Sequence, residues 1–402
     1  MKQINLKFGS LMGSFDIVFG SLVAYATVFL LAQGLDEFRI GIIIAAANLF
    51  ASIIQPWLGD KVDRSDRLTL VHVNLFIVIP CLLLLVSILL FQRILILVAV
   101  MYLLTVMLQV TLQPFMNAIG VALMNQGYRV NFGVCRAAES ATFAVTSSIL
   151  GILVNRLGTN SIIYMAILGY VIYLLILWVL YRDYLKELFT RHPHDLKINT
   201  ADIALEPTVI PFFTKYSHFK FIIFGSFCFF VGHNFINSFM IQIIENVGGN
   251  TENMGAAIAL AAITEVPIMV LFTRINRYIH NRYILMFAGV FFSVKAILTF
   301  VAVSVTGVYT AQLMQAFSFG IYIVASVYYT NGEMDAFDKV NGQSFITTAH
   351  TMGGVIGSSV GGWIINLLSV SHGLLFCIIV TLMGVVSYYF GLIHPRKTTV
   401  KS

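Results

Sequence analysis

Apolar stretches of about twenty residues recur along the whole chain and are parted by short polar intervals. A helix needs roughly 20 apolar residues to cross the hydrocarbon core of a bilayer. On that measure the pattern predicts twelve spanning helices, at 9–33, 38–58, 68–91, 94–124, 132–155 and 159–181, then 217–245, 252–273, 282–304, 307–332, 341–366 and 370–393. Lipid offers no partner to backbone polar groups, and the ten-residue alternation of a barrel is absent, so the spans must be helices. The expected fold is an all-α membrane protein. The first span follows MKQINLK, exceeds a signal-peptide core and shows no small-residue cleavage site, so it is expected to stay as a helix.

One polar interval is longer than the rest. Residues 182–216 hold Arg182, Asp183, Lys186, Glu187, Arg191 and Asp195 with Pro193, Pro207 and Pro211, and read as a linker. It divides the chain into an N-terminal six-helix half, 1–181, and a C-terminal half, 217–402. Internal matches support a duplication. GSFDIVFGS (13–21) matches GSFCFFVGH (225–233) at an offset of 212, and at 211 Pro56 falls on Pro267 and GILVN (151–155) on GWIIN (362–366). An even number of spans per half makes the repeats parallel, as in transporters built from two such halves. The chemistry is not duplicated: Asp16 falls on Cys228, Glu139 on His350, Ser21 on His233, Arg136 on Thr347 and Lys295 on Leu84.

Charge then sets orientation. Only 10% of residues are charged and 58% are hydrophobic, against roughly 25% charged in soluble domains. With the N-terminus inside, nearly all Lys and Arg outside the spans lie in cytoplasmic segments, leaving Arg39, Arg93 and Arg156 on the other side. Both termini are expected in the cytoplasm, and the net charge of +6 is a topology signal that gives no ground for a nucleic-acid partner. The four cysteines fall within spans without metal-type spacing. With no P-loop, nucleophile–base set or metal-ligand cluster, the sequence implies no enzyme, no cofactor and no metal. The expected partners are a small solute, H+ and the bilayer, with a monomer as the working unit.

A charge at mid-bilayer costs about 2.5–3.5 kcal/mol on insertion scales, so each one needs an explanation. Arg136 and Glu139 stand three apart near the start of their helix. They either pair locally and reach the interface, or offer donors and acceptors to a solute, with Phe143 seven residues on covering an apolar face. Asp16 is either a proton site or a polar contact between helices. Glu265 and Lys295 lie deeper and form either a permanent salt bridge or one broken by protonation of Glu265. His233 and Asn237, four apart, suit hydroxyl recognition or interhelical hydrogen bonding. His350 can titrate near neutral pH or serve as a packed residue.

Several segments resemble the major facilitator superfamily, and within it the lactose permease, or oligosaccharide:proton symporter, group. GIIIAAANLFASIIQPWLGDKVDR (41–64) is similar to its second helix and following loop, with Gln55, Pro56 and Gly59 in place; Gly59, Asp63, Arg64 and Arg67 fit the gating-loop signature, with Asp66 at a usual glycine. FGVCR (132–136) resembles the fifth-helix motif whose arginine binds sugar, which implies that role for Arg136. TEVPIM (264–269) and AGVFFSVK (288–295) resemble the eighth- and ninth-helix segments that carry an acidic and a basic residue, here Glu265 and Lys295. The family's tenth-helix His and Glu correspond to Gln315 and Ser318, its fourth-helix glutamate has no counterpart near Ala118, and Phe143 stands at the stacking Trp. These departures argue against lactose itself.

The resemblance implies two pseudo-symmetric six-helix halves and proton-coupled import of a sugar or similar polar solute by alternating access. Arg136, Glu139, Phe143, His233, Asn237 and Gln315 are the expected solute contacts, and Glu265, Lys295, Asp16 and His350 the proton-coupling set. An efflux transporter of the same fold is the competing reading, although the fifth helix carries SILGILV without the Gly-Pro of many antiporters. The further alternatives are a uniporter, sodium in place of proton coupling, or a sensor built on the same fold.

Overall fold

The computed structural model of the protein describes residues 2–64, 69–185, 209–335 and 338–393. Their regular structure is helical, with no strand among the described residues. The first seven helices are α1 (Lys2–Phe19), α2 (Ala26–Ala32), α3 (Glu37–Arg64), α4 (Leu70–Leu90), α5 (Leu95–Asn125), α6 (Phe132–Leu157) and α7 (Asn160–Leu180). After the linker come α8 (Val209–Lys215), α9 (Phe219–Ser238), α10 (Met240–Asn246), α11 (Thr251–Tyr278), α12 (Asn281–Val301), α13 (Val305–Leu313), α14 (Ile321–Glu333), α15 (Lys339–Leu367) and α16 (Val370–Tyr388).

Helix starts follow capping chemistry. Thr69 Oγ1 accepts from the His72 amide, Asn131 Oδ1 from Val134, Ser304 Oγ from Gly307 and Ser369 Oγ from His372. At the other end of α6, Gly158 takes the positive φ of 89° that ends the helix.

Among the described residues eleven helical stretches are long and apolar enough to cross a membrane. The remaining expected span, 341–366, is present as the helix α15. Its Gln343, Ser344, Thr347, Thr348, His350 and Thr351 dilute its apolarity below that of the others. The protein is a multi-pass, all-α membrane protein.

Four expected spans are not continuous α-helix: the twelfth finishes as a π turn at Tyr389–Ile393, and three others are interrupted within. The first begins at Lys2 and passes through a π turn at Gly20–Ala24 before α2. That turn frees backbone groups, and buried tyrosines engage the segment: Tyr102 Oη donates to the Leu22 carbonyl at 2.7 Å, and Tyr25 Oη to that of Ser147 at 2.7 Å. The seventh expected span breaks at Phe239, between α9 and α10. The tenth breaks after α13 and resumes as α14 through a π turn at Ala316–Gly320.

Packing groups the chain into two units, Met1–Asp202 with Thr251–Ala259, and Ile203–Asn250 with Leu260–Ser402. In the first, α1 packs on α6 and α7, and α4 on α5 and α7. The first turns of α11 belong to this unit: Thr251 Oγ1 donates to the Gly151 carbonyl at 3.4 Å, and a Cβ at Gly255 would strike the Ser147 carbonyl. In the second, α9 packs on α15 and α16, and α12 on α14 and α16. These four pairings correspond between the units, whereas the packing of α3 on α5 in the first has no equally close counterpart between α11 and α14. The second unit has an aromatic core that includes Phe219, Phe229, Phe230, Phe292, Tyr322 and Tyr388. The four cysteines are buried and unpaired, behaving as small apolar residues.

Candidate functional site

The first unit brings together the charged pair of α6. Asn131 caps the helix and receives the Asn5 side chain on its own amide at 2.7 Å, which anchors the start of α6 to α1. One turn on, Arg136 Nη1 donates to Glu139 Oε2 at 2.9 Å. The Glu139 side chain is 5% exposed and that of Arg136 49% exposed. The guanidinium therefore offers its remaining donors to an open space while the carboxylate stays covered. Phe143, half-buried, lies 6.3 Å from Phe19 between ring centroids and beside Gly20 of the π turn. Asp16 is half-buried on α1, one turn beyond Gly13, where a Cβ would lie 2.7 Å from Thr142 Oγ1, so α1 and α6 nearly touch at Gly13.

The second unit assembles three side chains from three elements. Lys295, on α12, is 1% exposed. Its Nζ donates to Gln315 Oε1 at 2.5 Å, and Gln315 Nε2 donates to Glu265 Oε1 at 2.8 Å. Gln315 sits where α13 gives way to the π turn, at a point where the helical hydrogen-bond ladder is already interrupted. The turn ends at Gly320, where a Cβ would lie 3.3 Å from the Cα, Cβ and Cγ of Glu265. The expected Glu265–Lys295 pair is thus connected through an amide, and Gln315, expected as a solute contact, is its centre.

The histidines nearby are packed by aromatic rings. His233 stacks on Phe319 at 4.7 Å between centroids, and Asn237 Nδ2 lies 2.9 Å from its Nε2. With Nε2 accepting, the ring proton belongs on Nδ1, which has no partner among the described residues. His350 stacks on Phe230 at 3.8 Å. Tyr322 Oη donates to Ser226 Oγ at 2.7 Å, and Ser226 Oγ to the Ile222 carbonyl at 2.8 Å. Proton counting then makes His350 Nε2, 3.0 Å from Tyr322 Oη, the donor. This run ends on a backbone carbonyl, so His350 occupies the setting of a packed residue.

Of the expected gating loop, Gly59 has open space around its Cα and Asp63 and Arg64 end α3. The Asp63 and Arg64 side chains, and all of Arg67, lie outside the described residues. Sequence reading missed a contact near the end of the linker. Lys215 Nζ meets Asp335 Oδ2 at 2.6 Å and Asp338 Oδ2 at 2.5 Å, and Tyr216 Oη donates to Asp338 Oδ2 at 3.0 Å. Hydrogen bonding to Asp335, then Asp338, holds the Lys215 ammonium above its ordinary range. Asp335 is exposed and at the same time paired.

The chain resembles several solved transporter structures in architecture. The nucleoside transporter NupG shares 12% identity over 97% of this chain and 98% of its own, with a TM-score of 0.80. A peptide transporter of the POT type, bound to alafosfalin, gives 12% identity over 98% and 94% and a TM-score of 0.72. A bacterial homologue of the iron transporter ferroportin, facing inward, gives 14% identity over 96% and 98% and 0.68. At such identities the likeness establishes the fold. No curated protein matches the sequence. Residues 15–378 match the family described as MFS_1 like, and the chain, a major facilitator protein by fold and sequence, belongs to that family.

Proposed function

We propose that the protein is a proton-coupled secondary transporter importing a neutral, hydroxyl-rich solute such as a sugar or nucleoside by alternating access. One observation carries this reading: a wholly buried ammonium, Lys295, linked through Gln315 to the carboxylate of Glu265 inside membrane-spanning helices. Charge in that position is costly, and a pair that protonation can alter is the part a proton-driven carrier requires.

The solute class rests on three further features. Arg136 with Glu139, and Lys295 with Glu265, are each charge-matched, so the protein asks no net charge of its solute. The half-exposed Arg136 fork and the His233–Asn237 pair suit hydroxyl and carbonyl oxygens, and Phe143 supplies a ring for an apolar face. The resemblance to the lactose permease group and the architecture shared with a nucleoside transporter point the same way. In this reading Asp16 is a secondary carboxylate, and Gly59, Asp63, Arg64 and Arg67 form a gating loop. Both termini lie in the cytoplasm, the membrane is the cell membrane, and the working unit is a monomer.

The test is solute-induced alkalinisation of a lightly buffered medium by cells or vesicles carrying the protein, screened with monosaccharides, disaccharides and nucleosides. Proton uptake with one class establishes symport. Transport of a solute without proton movement would establish a uniporter and end the coupling claim.

A further inference from the structure

The chain Lys295–Gln315–Glu265 has a direction. A primary amide accepts only at oxygen and donates only at nitrogen. Here the oxygen faces the ammonium and the nitrogen faces the carboxylate, so the dipole of the amide lies along the line from cation to anion. Both hydrogen bonds are charge-assisted, and each polarises the amide in the sense that strengthens the other. Gln315 therefore transmits the charge state of Glu265 to Lys295.

We propose that Gln315 is a positioning residue that relays protonation of Glu265 to Lys295, releasing the ammonium to an acceptor on the solute; the inference rests on the proposed proton coupling. When a proton adds to Glu265, the Gln315 N–H loses its anionic acceptor and the amide its counter-polarisation. The Gln315–Lys295 hydrogen bond weakens, and a buried ammonium is left short of compensation, a costly state that a solute oxygen relieves. The order is proton first, solute second.

The π turn makes this arrangement. It places Gln315 between two helices at one end, and at the other uses Gly320 to let Glu265 lie against bare backbone. Other titratable groups in the neighbourhood are His233 on α9, close enough to feel the charge of Lys295, and His350 on α15, which His233 also feels. Glu265 is the acidic group whose charge reaches Lys295.

Infrared difference spectroscopy on the full-length protein in lipid vesicles tests the relay without a solute, the probe being a change of pH. Glutamine side-chain carbonyls are labelled with carbon-13. The Glu265 carboxyl band is assigned by its loss in E265Q, and the Gln315 band by its loss in Q315M, or in Q315H should Q315M not fold. On acidification the Gln315 band should move to higher wavenumber in step with the appearance of the Glu265 band, and should stay still in E265Q. A Glu265 band that titrates while the Gln315 band does not move overturns the relay. The coupling reading is judged separately: if solute-induced alkalinisation survives in E265Q, proton coupling through Glu265 fails. If alkalinisation is lost in E265Q and the amide band never moves, the relay alone fails.

Discussion

Arg136 and Glu139 are partners of very unequal exposure: a half-open guanidinium holds, at 2.9 Å, a carboxylate that is almost wholly covered. The two ends of the pair should therefore respond differently to truncation. R136M strands a buried carboxylate and should cost about 1–3 kcal/mol, below the 3–5 of a fully buried pair because one end reaches solvent. E139Q keeps an acceptor for the guanidinium and should cost about 1 kcal/mol or less. Thermal melts of both variants and of R136M/E139Q check this, the double variant being expected to recover most of the R136M loss. Equal costs for the two single variants would sink the argument.

For Glu265 the expected effect is on coupling. An imposed gradient of one pH unit is worth about 1.4 kcal/mol, so one-to-one symport drives about tenfold solute accumulation. E265Q, unable to lose or gain the proton, should bring that ratio to about one while solute exchange across the membrane continues. Vesicle uptake of the solute identified by alkalinisation, with and without the pH gradient, measures both quantities. An E265Q variant that still accumulates solute would move the proton to Asp16 or Glu139.

These expectations differ in how they could be read from the chain. The spans were legible because a bilayer demands apolarity over a set length, and α15 is the weakest signal because its polar face carries Thr347, His350 and Thr351 on one helix. The Arg136–Glu139 contact was legible because it is local. Gln315 was read as a solute contact because its partners lie 20 and 50 residues away on other helices. The π turn that positions it has no turn residue or proline to announce it, only Gly320. The same holds for Lys215 and Asp338, 123 residues apart, since tertiary ion pairs leave no periodicity.

In the core of the second unit, Gly225 is where α9 meets α16. A Cβ at this position would run into the Tyr388 ring. Tyr388 is fully buried, and its Oη lies 2.9 Å from Ser226 Oγ, so the ring is held by a hydrogen bond and has little room to turn. G225A should destabilise by about 1–3 kcal/mol through overpacking. Y388F, which keeps the ring and removes the hydroxyl, should cost about 1 kcal/mol. Melting temperatures in detergent compare the two. A neutral G225A would show that α9 and α16 separate more easily than their packing implies.

Lys215 gives a prediction in pH and salt. Its ammonium is held above its ordinary value of 10.5 by Asp335 and Asp338, so its folded state binds the proton more tightly than its unfolded state. The stabilisation is fully present below 10.5 and is lost as pH rises through the raised value. A K215Q variant should melt lower than the natural protein by a small and constant margin across the neutral range, the margin closing only in strong alkali. Because the group is exposed, salt should shrink the same margin. Melts at neutral and alkaline pH, at low and high salt, check this, and a margin that persists unchanged in strong alkali and high salt would mean that Lys215 acts through packing of its aliphatic stem and not through its charge.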